Sequence, residues 1–164
     1  MSSVSVDAPS LAEQWARLAA WRRLAKDTPH NLDPWAREHL DQLANWEAVA
    51  VEHVAGETLA HTDLHSLNLL IHDGSVQIVD WAWSRNANAA VDPAFLVIRL
   101  IEAGHEPATA EAWANELPTW QEVTADAKTA FAVAIWGIWE FLERDHPLAH
   151  RPALTAAART AFPS

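Results

Sequence analysis

The 164-residue chain contains no cysteine, which excludes disulfides, thiolate metal sites and a cysteine nucleophile outright. It contains no tyrosine either, although ten residues are tryptophan. Most of those tryptophans fall at helix-like spacing, which predicts core or interface packing for the majority rather than ligand stacking. Basic residues are scarce, 11 against 22 acidic ones, and the net charge of −11 excludes a broad nucleic-acid-binding surface, which needs clustered Lys and Arg. Cationic ligands or metal ions suit that charge better, and solubility alone explains it equally well. No apolar stretch is long enough to cross a bilayer, the longest being Phe131 to Trp139, and Met1 to Ser10 lacks the basic start and apolar stretch of a signal peptide. No membrane partner is expected, and the location expected is cytoplasmic. Half of the residues are apolar, enough to give a chain of this length one compact domain with a core of its own.

Leu11, Trp15, Leu18, Trp21 and Ala25 recur at steps of three and four, predicting one helix that stops before Thr28 and Pro29. Asp33 followed by Pro34 predicts a second helix start, with Trp35, His39, Leu43 and Trp46 as its buried face. After Gly56 the pattern fits neither period: residues 58–68 read as a loop that carries chemistry. Leu69 to His72 and Val76 to Val79 flank Asp73-Gly74, a hairpin signal, and a hairpin here would bring Asn68 and Asp80 together at one end. Residues 84–90 read as a polar loop. A helix is expected from Asp92-Pro93 to Gly104, and further helices over 108–116, 124–143 and 153–162.

The stretch His61-Thr62-Asp63-Leu64-His65-Ser66-Leu67-Asn68 fits the kinase catalytic-loop spacing H-x-D-L-x-x-x-N, and Asp80 ends the run Ile78-Val79-Asp80-Trp81 beyond the hairpin. Phosphoryl transfer needs groups of these types. Its charge-spread transition state is stabilised by positioning and by Mg²⁺, which takes oxygen ligands such as an Asn amide and an Asp carboxylate, while a separate Asp accepts the hydroxyl proton.

With HTDLHSLNLLI, IVDW and VDPAF in that order, the chain resembles the aminoglycoside phosphotransferase family, which includes choline-kinase-like and homoserine-kinase-like enzymes; the likeness is best over about residues 40–105. The resemblance implies a mainly α chain with a short β-hairpin, the carboxy-terminal lobe of the protein-kinase-like (α+β) fold. It implies Asp63 as the catalytic residue, Asn68 and Asp80 as Mg²⁺ ligands, ATP or GTP as phosphate donor, and a small-molecule hydroxyl, possibly on an aminoglycoside-like cation, as acceptor. His61 is expected to pin the loop, and His65 to be a phosphate-side or a structural contact. Asp92 either braces the loop, as its counterpart in the family does, or simply caps the helix before Pro93. Thr62 stands where the family has Gly, and Ser66-Leu67 where it often has Pro-Gly. Trp81 and Trp83 either flank the phosphate site or pack on helices.

The expected layout is a single domain over residues 1–164, with a catalytic and metal-binding core at about 58–93 and a helical substrate region at about 94–164. The acceptor pocket is expected among residues 108–164, where Glu111, Glu116, Glu140 and Glu143 either greet a cation or form a solvated face. A glycine-rich phosphate-covering loop, a strand lysine paired with a helix Glu and a purine hinge are not found in the sequence: its lysines are Lys26 and Lys128, and its four glycines are scattered. The amino-terminal nucleotide lobe is therefore expected to be absent, leaving an apolar surface, with the first helix as its main contributor, for a homodimer or a partner lobe. Two other readings stand beside the phosphotransferase: a non-catalytic lobe that binds a ligand or partner, and a metal-dependent hydrolase using His61, Asp63 and His65, which would hold Zn²⁺ rather than Mg²⁺.

Overall fold

The structure, a computed structural model, describes residues 7–145, 147–149 and 151–161. Helix α1 (Leu11–Leu18) starts at Ser10, whose hydroxyl accepts from the Glu13 amide at 3.3 Å. The single helix expected through Ala25 is in fact two. Ala19 takes a left-handed conformation, φ 43, and α2 (Ala20–Lys26) begins after it. A tertiary contact organises the restart: the Trp21 amide donates to the carboxylate of Glu47 at 3.1 Å. Apolar spacing carries no sign of that break, because the donor and its acceptor are 26 residues apart.

The second expected helix is also divided, into α3 (Pro34–Glu38) and α4 (Leu40–Val54). Asp33 caps α3 through the Ala36 amide at 3.0 Å, but His39 leaves helical geometry at φ −117 and ψ 21, so the buried stripe does not run on. Ala36 is the buried residue of α3, whereas α4 buries Leu43, Glu47, Ala50 and Val54, in steps of four, three and four. Trp35, expected in the core, is 48% exposed and stacks on the His39 ring at 4.1 Å.

Four short strands form two separate antiparallel pairs. Strands β2 (Leu69–His72) and β3 (Ser75–Ile78) make the expected hairpin, in register Leu69 to Ile78 through His72 to Ser75. Asp73 and Gly74 turn it, both at positive φ (47 and 74), as a tight two-residue hairpin turn requires. Strands β1 (Thr58–Ala60), in the region read as a loop that carries chemistry, and β4 (Arg85–Ala87), in the region read as a polar loop, form the second pair. Arg85-Asn86 has no apolar alternation; its strand is held from outside by Asn86 bonds to the Pro9 and Ala8 carbonyls, both at 2.9 Å, and by Arg85 Nε donating to Gln14 at 2.8 Å.

Helix α5 (Val91–Glu102) ends in paired reverse bonds, Gly104 amide to Ile101 carbonyl and His105 amide to Leu100 carbonyl, with Gly104 at φ 97. Helices α6 (Pro107–Ala114), α7 (Pro118–Gln121), α8 (Ala125–Asp145) and α9 (Arg151–Ala161) follow; Phe162, the expected end of the last, lies outside the described residues. The core lies where α2, α4, α5, α8 and α9 meet. At its centre Trp21 donates to the Val133 carbonyl at 2.8 Å and meets Trp136 edge to face at 4.9 Å. The fold is thus mostly helical with two small sheets. No described helix is long and apolar enough to cross a membrane.

Candidate functional site

The site grows from the segment joining β1 to β2. His61 is fully buried, and both ring nitrogens are engaged: Nε2 with the Val79 carbonyl at 2.9 Å, and Nδ1 as acceptor from the Asp63 amide at 3.3 Å. Those partners fix the neutral tautomer with its proton on Nε2, and they tie the loop to the far side of the hairpin. A ring occupied in this way has no lone pair left for a metal, which removes His61 from the hydrolase ligand set.

Asp92 grips the same loop. Its Oδ2 accepts from the His61 amide at 2.7 Å and its Oδ1 from the Thr62 amide at 2.9 Å, while the N-cap of α5 is Ala90. The carboxylate is therefore spent on the loop and not on its own helix. Thr62 is the neighbour that needs it, since a β-branched residue at φ 63 is strained by roughly 1–3 kcal/mol. Its hydroxyl adds a further anchor, donating to the Trp83 carbonyl at 2.6 Å. The left-handed conformation, which glycine takes without strain, is thus held here in a Thr by two side-chain bonds.

That conformation presents Asp63, partly exposed, to a cleft. A 3₁₀ turn over Ser66–Asn68 then folds Asn68 back so that its Nδ2 donates to the Asp63 carbonyl at 2.9 Å. His65 sits between them. Its Nδ1 accepts from the Leu67 amide at 3.3 Å, which leaves the proton on Nε2, 3.7 Å from the Asp63 carboxylate. With that tautomer, the 3.2 Å approach of Asn68 Nδ2 to His65 Nε2 sets donor against donor and is a contact only. Across the hairpin base the Val79 amide donates to the Asn68 carbonyl at 3.0 Å, so Asp80, the next residue, neighbours Asn68. Asp80 is exposed and stands in the left-handed region at φ 60, which Asp tolerates.

The structure therefore brings Asp63, His65, Asn68 and Asp80 to one edge, with His61 and Asp92 behind them. Asn68 is buried, its Nδ2 is taken by the Asp63 carbonyl, and its Oδ1 accepts from no protein donor among the described residues. An amide oxygen and a free carboxylate are hard donors, and no group of three or more His, Asp or Glu suited to a metal occurs among the described residues. Such a pair fits Mg²⁺, which keeps water and shares its ligands with phosphates, and fits poorly with a resident transition ion.

Trp81 and Trp83 lie on a 3₁₀ turn just beyond Asp80 and do not pack on the helices; they are 42% and 58% exposed. Trp81 meets the His61 ring at 4.9 Å, and Trp83 lies under the Arg85 guanidinium at 5.9 Å. Of the four glutamates named as greeting a cation or forming a solvated face, Glu116 is exposed and the other three have partners of their own. Glu111 pairs with Lys128 at 2.6 Å, Glu140 accepts from the Trp136 indole at 3.0 Å, and Glu143 accepts from the Leu148 amide at 3.1 Å. The cleft wall facing Asp63 is instead the last turn of α5, with Arg99 and Glu102. A signal for this existed in the sequence: Arg99 is seven residues, two helical turns, from Asp92, so both lie on one face.

Residues 5–125 match the family described as the phosphotransferase enzyme family. No curated protein and no solved structure matches the chain.

Proposed function

Because the chain belongs to the phosphotransferase enzyme family, we propose that it is the catalytic-loop lobe of a kinase-like fold, moving the γ-phosphoryl group of ATP or GTP to a hydroxyl of a small molecule. The observation that carries this reading is the linked geometry of Asp63 and Asn68, joined at 2.9 Å on one loop, with Asp80 beside them across the hairpin.

In the proposed step the acceptor oxygen forms a bond to the γ-phosphorus as the bond from that phosphorus to the bridging oxygen breaks, and the nucleoside diphosphate leaves. The hydroxyl proton passes to the Asp63 carboxylate. Asn68 and Asp80 would hold Mg²⁺, which when bound neutralises charge on the phosphate oxygens. His61 and Asp92 keep the loop in place, Asp92 through its two backbone bonds, and His65 orients the Asp63 carboxylate from 3.7 Å. The reaction draws on a soluble cytoplasmic nucleotide pool.

Purine and phosphate-covering elements would come from a nucleotide-binding lobe outside these residues. The exposed apolar side chains that such a lobe would cover lie on the hairpin and the turns beside it, Leu67, Leu70, Ile71, Val76, Ile78 and Trp81, and not on α1, whose Leu11 and Trp15 are buried.

The test is a screen with Mg²⁺ and ATP or GTP against hydroxyl compounds, reading new phosphate esters by ³¹P NMR, on the chain together with its nucleotide-binding lobe. Asp63→Asn should lower kcat by roughly 10²–10⁴-fold with nucleotide affinity kept, whereas Asp80→Asn should weaken Mg²⁺-nucleotide binding itself. Equal losses of both parameters in both variants would contradict the roles.

A further inference from the structure

A pocket of about 210 Å³ opens at the start of α5, between the end of α4 and the corner that joins α7 to α8. Val91 in its wall and Glu102 at the cleft facing Asp63 sit at opposite ends of α5, roughly 16 Å apart by the helical rise. We infer that this second pocket binds a neutral one-ring aromatic compound carrying a hydrogen-bond-accepting oxygen, and that the bound compound steadies the catalytic loop through the first turn of α5. Neither part depends on the reaction assigned to Asp63.

The buried side of the pocket is apolar, formed by Val54, Val91, Ala94, Trp120, Ala127 and Phe131. Its space exists because alanines stand at Ala90, Ala94 and Ala127, where larger side chains would fill it. An apolar cavity of about 150 Å³ takes one benzene ring, so the volume here suits one ring with a small substituent. The corner is fixed before any ligand arrives. Asn88 donates its amide to the Val54 carbonyl at 2.9 Å, accepts from the Ala90 amide on Oδ1 at 2.9 Å, and accepts from the Val91 amide on its carbonyl at 3.0 Å. Little ordering is left for binding to impose.

Charge decides the substituent. The charged residues in the wall are His53, Glu122 and Lys128, and of these only Lys128 is not exposed, its side chain being 16% accessible. Its ammonium has three N–H donors. One goes to Glu111 Oε1 at 2.6 Å; the others meet no acceptor atom among the described residues, and the group rests 4.9 Å over the Trp120 ring. An enclosed donor of this kind gains from an acceptor oxygen. Its charge, however, is already matched by Glu111. A ligand carboxylate would add a second negative charge beside Glu111 and Glu122, in a chain of net charge −11, and a ligand amine would meet the ammonium itself. A bare hydrocarbon ring leaves the donors unmatched. An amide or ketone oxygen on the ring satisfies them and brings no new charge.

Val91 and Ala94 lie on either side of Asp92, whose two oxygens hold the His61 and Thr62 amides. The pocket has these walls only while the first turn of α5 is seated against α4 and the α7–α8 corner. A bound ring therefore favours the seated state by its own affinity, and the loop gains the same protection through Asp92.

The experiment is a ¹H–¹⁵N NMR titration of the full chain with benzamide, against benzoate, benzylamine and toluene. Benzamide is expected to give saturable shifts at the Val54, Val91 and Val123 amides and to bind at least about fivefold more tightly than each of the other three. Lys128→Met should abolish the advantage of benzamide over toluene and leave toluene binding in place. Ala94→Leu should fill the space and remove binding of all four; if that variant does not fold, Lys128→Met carries the test. Hydrogen exchange supplies the second reading. At about ten times its Kd, benzamide should slow exchange of the His61 and Thr62 amides about tenfold and leave the Leu70 and Gln77 amides of the hairpin unchanged. No saturable shifts, a control compound that binds as tightly as benzamide, a preference that survives Lys128→Met, or binding that survives in a folded Ala94→Leu overturns the inference. So does exchange at His61 and Thr62 that slows no more than at Leu70 and Gln77.

Discussion

Asp92 holds two consecutive amides of the catalytic loop with its two oxygens, at 2.7 and 2.9 Å, and one of the residues it holds is the strained Thr62. Each bond to an ionised group contributes on the order of 1.5–3 kcal/mol. Asp92→Ala should therefore lower stability by about 3 kcal/mol, and more tellingly should speed hydrogen exchange at the His61 and Thr62 amides; unchanged exchange there would show that the loop does not depend on the brace. Glu47 is a buried carboxylate, with Oε1 on the Trp21 amide and Oε2 without a partner among the described residues. Burial pushes its pKa above the ordinary 4.5, against the opposing pull of the Trp21, Arg22 and Ala20 amides and the Arg22 charge. The folded state consequently takes up this proton at a higher pH than the unfolded chain does. The resulting stabilisation is complete below pH 4.5 and is lost as pH rises through the raised value. Urea melts of Glu47→Gln across that window should show a flatter dependence of stability on pH than the parent; parallel curves would mean that Glu47 ionises freely in the fold.

At the scale of elements, α2 and α8 approach so closely that a Cβ on Gly137 would lie 2.3 Å from the Trp21 indole nitrogen. That nitrogen is already bonded to the Val133 carbonyl at 2.8 Å and cannot simply withdraw. Gly137→Ala, which would raise helix propensity on an exposed face, should here destabilise by about 1–3 kcal/mol in chemical denaturation; a neutral or stabilising result would show that the indole can move. The same contact marks the boundary of what the sequence reveals. The hairpin, the extent of α5 and the convergence of Asn68 with Asp80 were legible because turn residues, caps and motif spacing act over a few residues. The breaks at Ala19 and His39, the pairing of β1 with β4 and the exposure of Trp35 were not, since Glu47, Pro9 and Ala8, or a rotated helix, decide them from far along the chain. At the site, the motif gave the residues that meet, but not the use of Thr62 in place of Gly or the approach of Arg99 and Glu102, which depend on how α5 docks against the loop. Most of the ten tryptophans do pack inward, while Trp35, Trp81, Trp83 and Trp113 are exposed.

Across the whole molecule, packing is concentrated in the helices and thins out toward the reactive edge. Trp21, Leu24, Leu43, Val97, Ile98 and Ile135 are almost wholly enclosed, whereas Leu70, Ile71, Val76 and Ile78 on the hairpin are exposed, Ile71 by 76%. A two-stranded hairpin with no covered face is marginal in water. Its base is tied in by the Val79 amide on the Asn68 carbonyl and by His61 on the Val79 carbonyl, while its tip has its own ladder and an exposed His72–Asp73 contact at 3.2 Å. Opening the tip costs no core contact, so it should open independently of global unfolding. In native-state hydrogen exchange the Leu70 and Gln77 amides, a hydrogen-bonded pair of the ladder, should exchange at least about tenfold faster than amides in the middle of α4 and α8, with little dependence on denaturant, which is the mark of a local opening. Adding Mg²⁺-ATP together with the nucleotide-binding lobe should slow exchange at those two positions toward the rate of the helices, because cover on the apolar face supplies the packing the hairpin lacks. Hairpin amides already as protected as α8 in the chain alone would mean that the ladder is stable without cover, and that the exposed apolar face is not where the missing packing belongs.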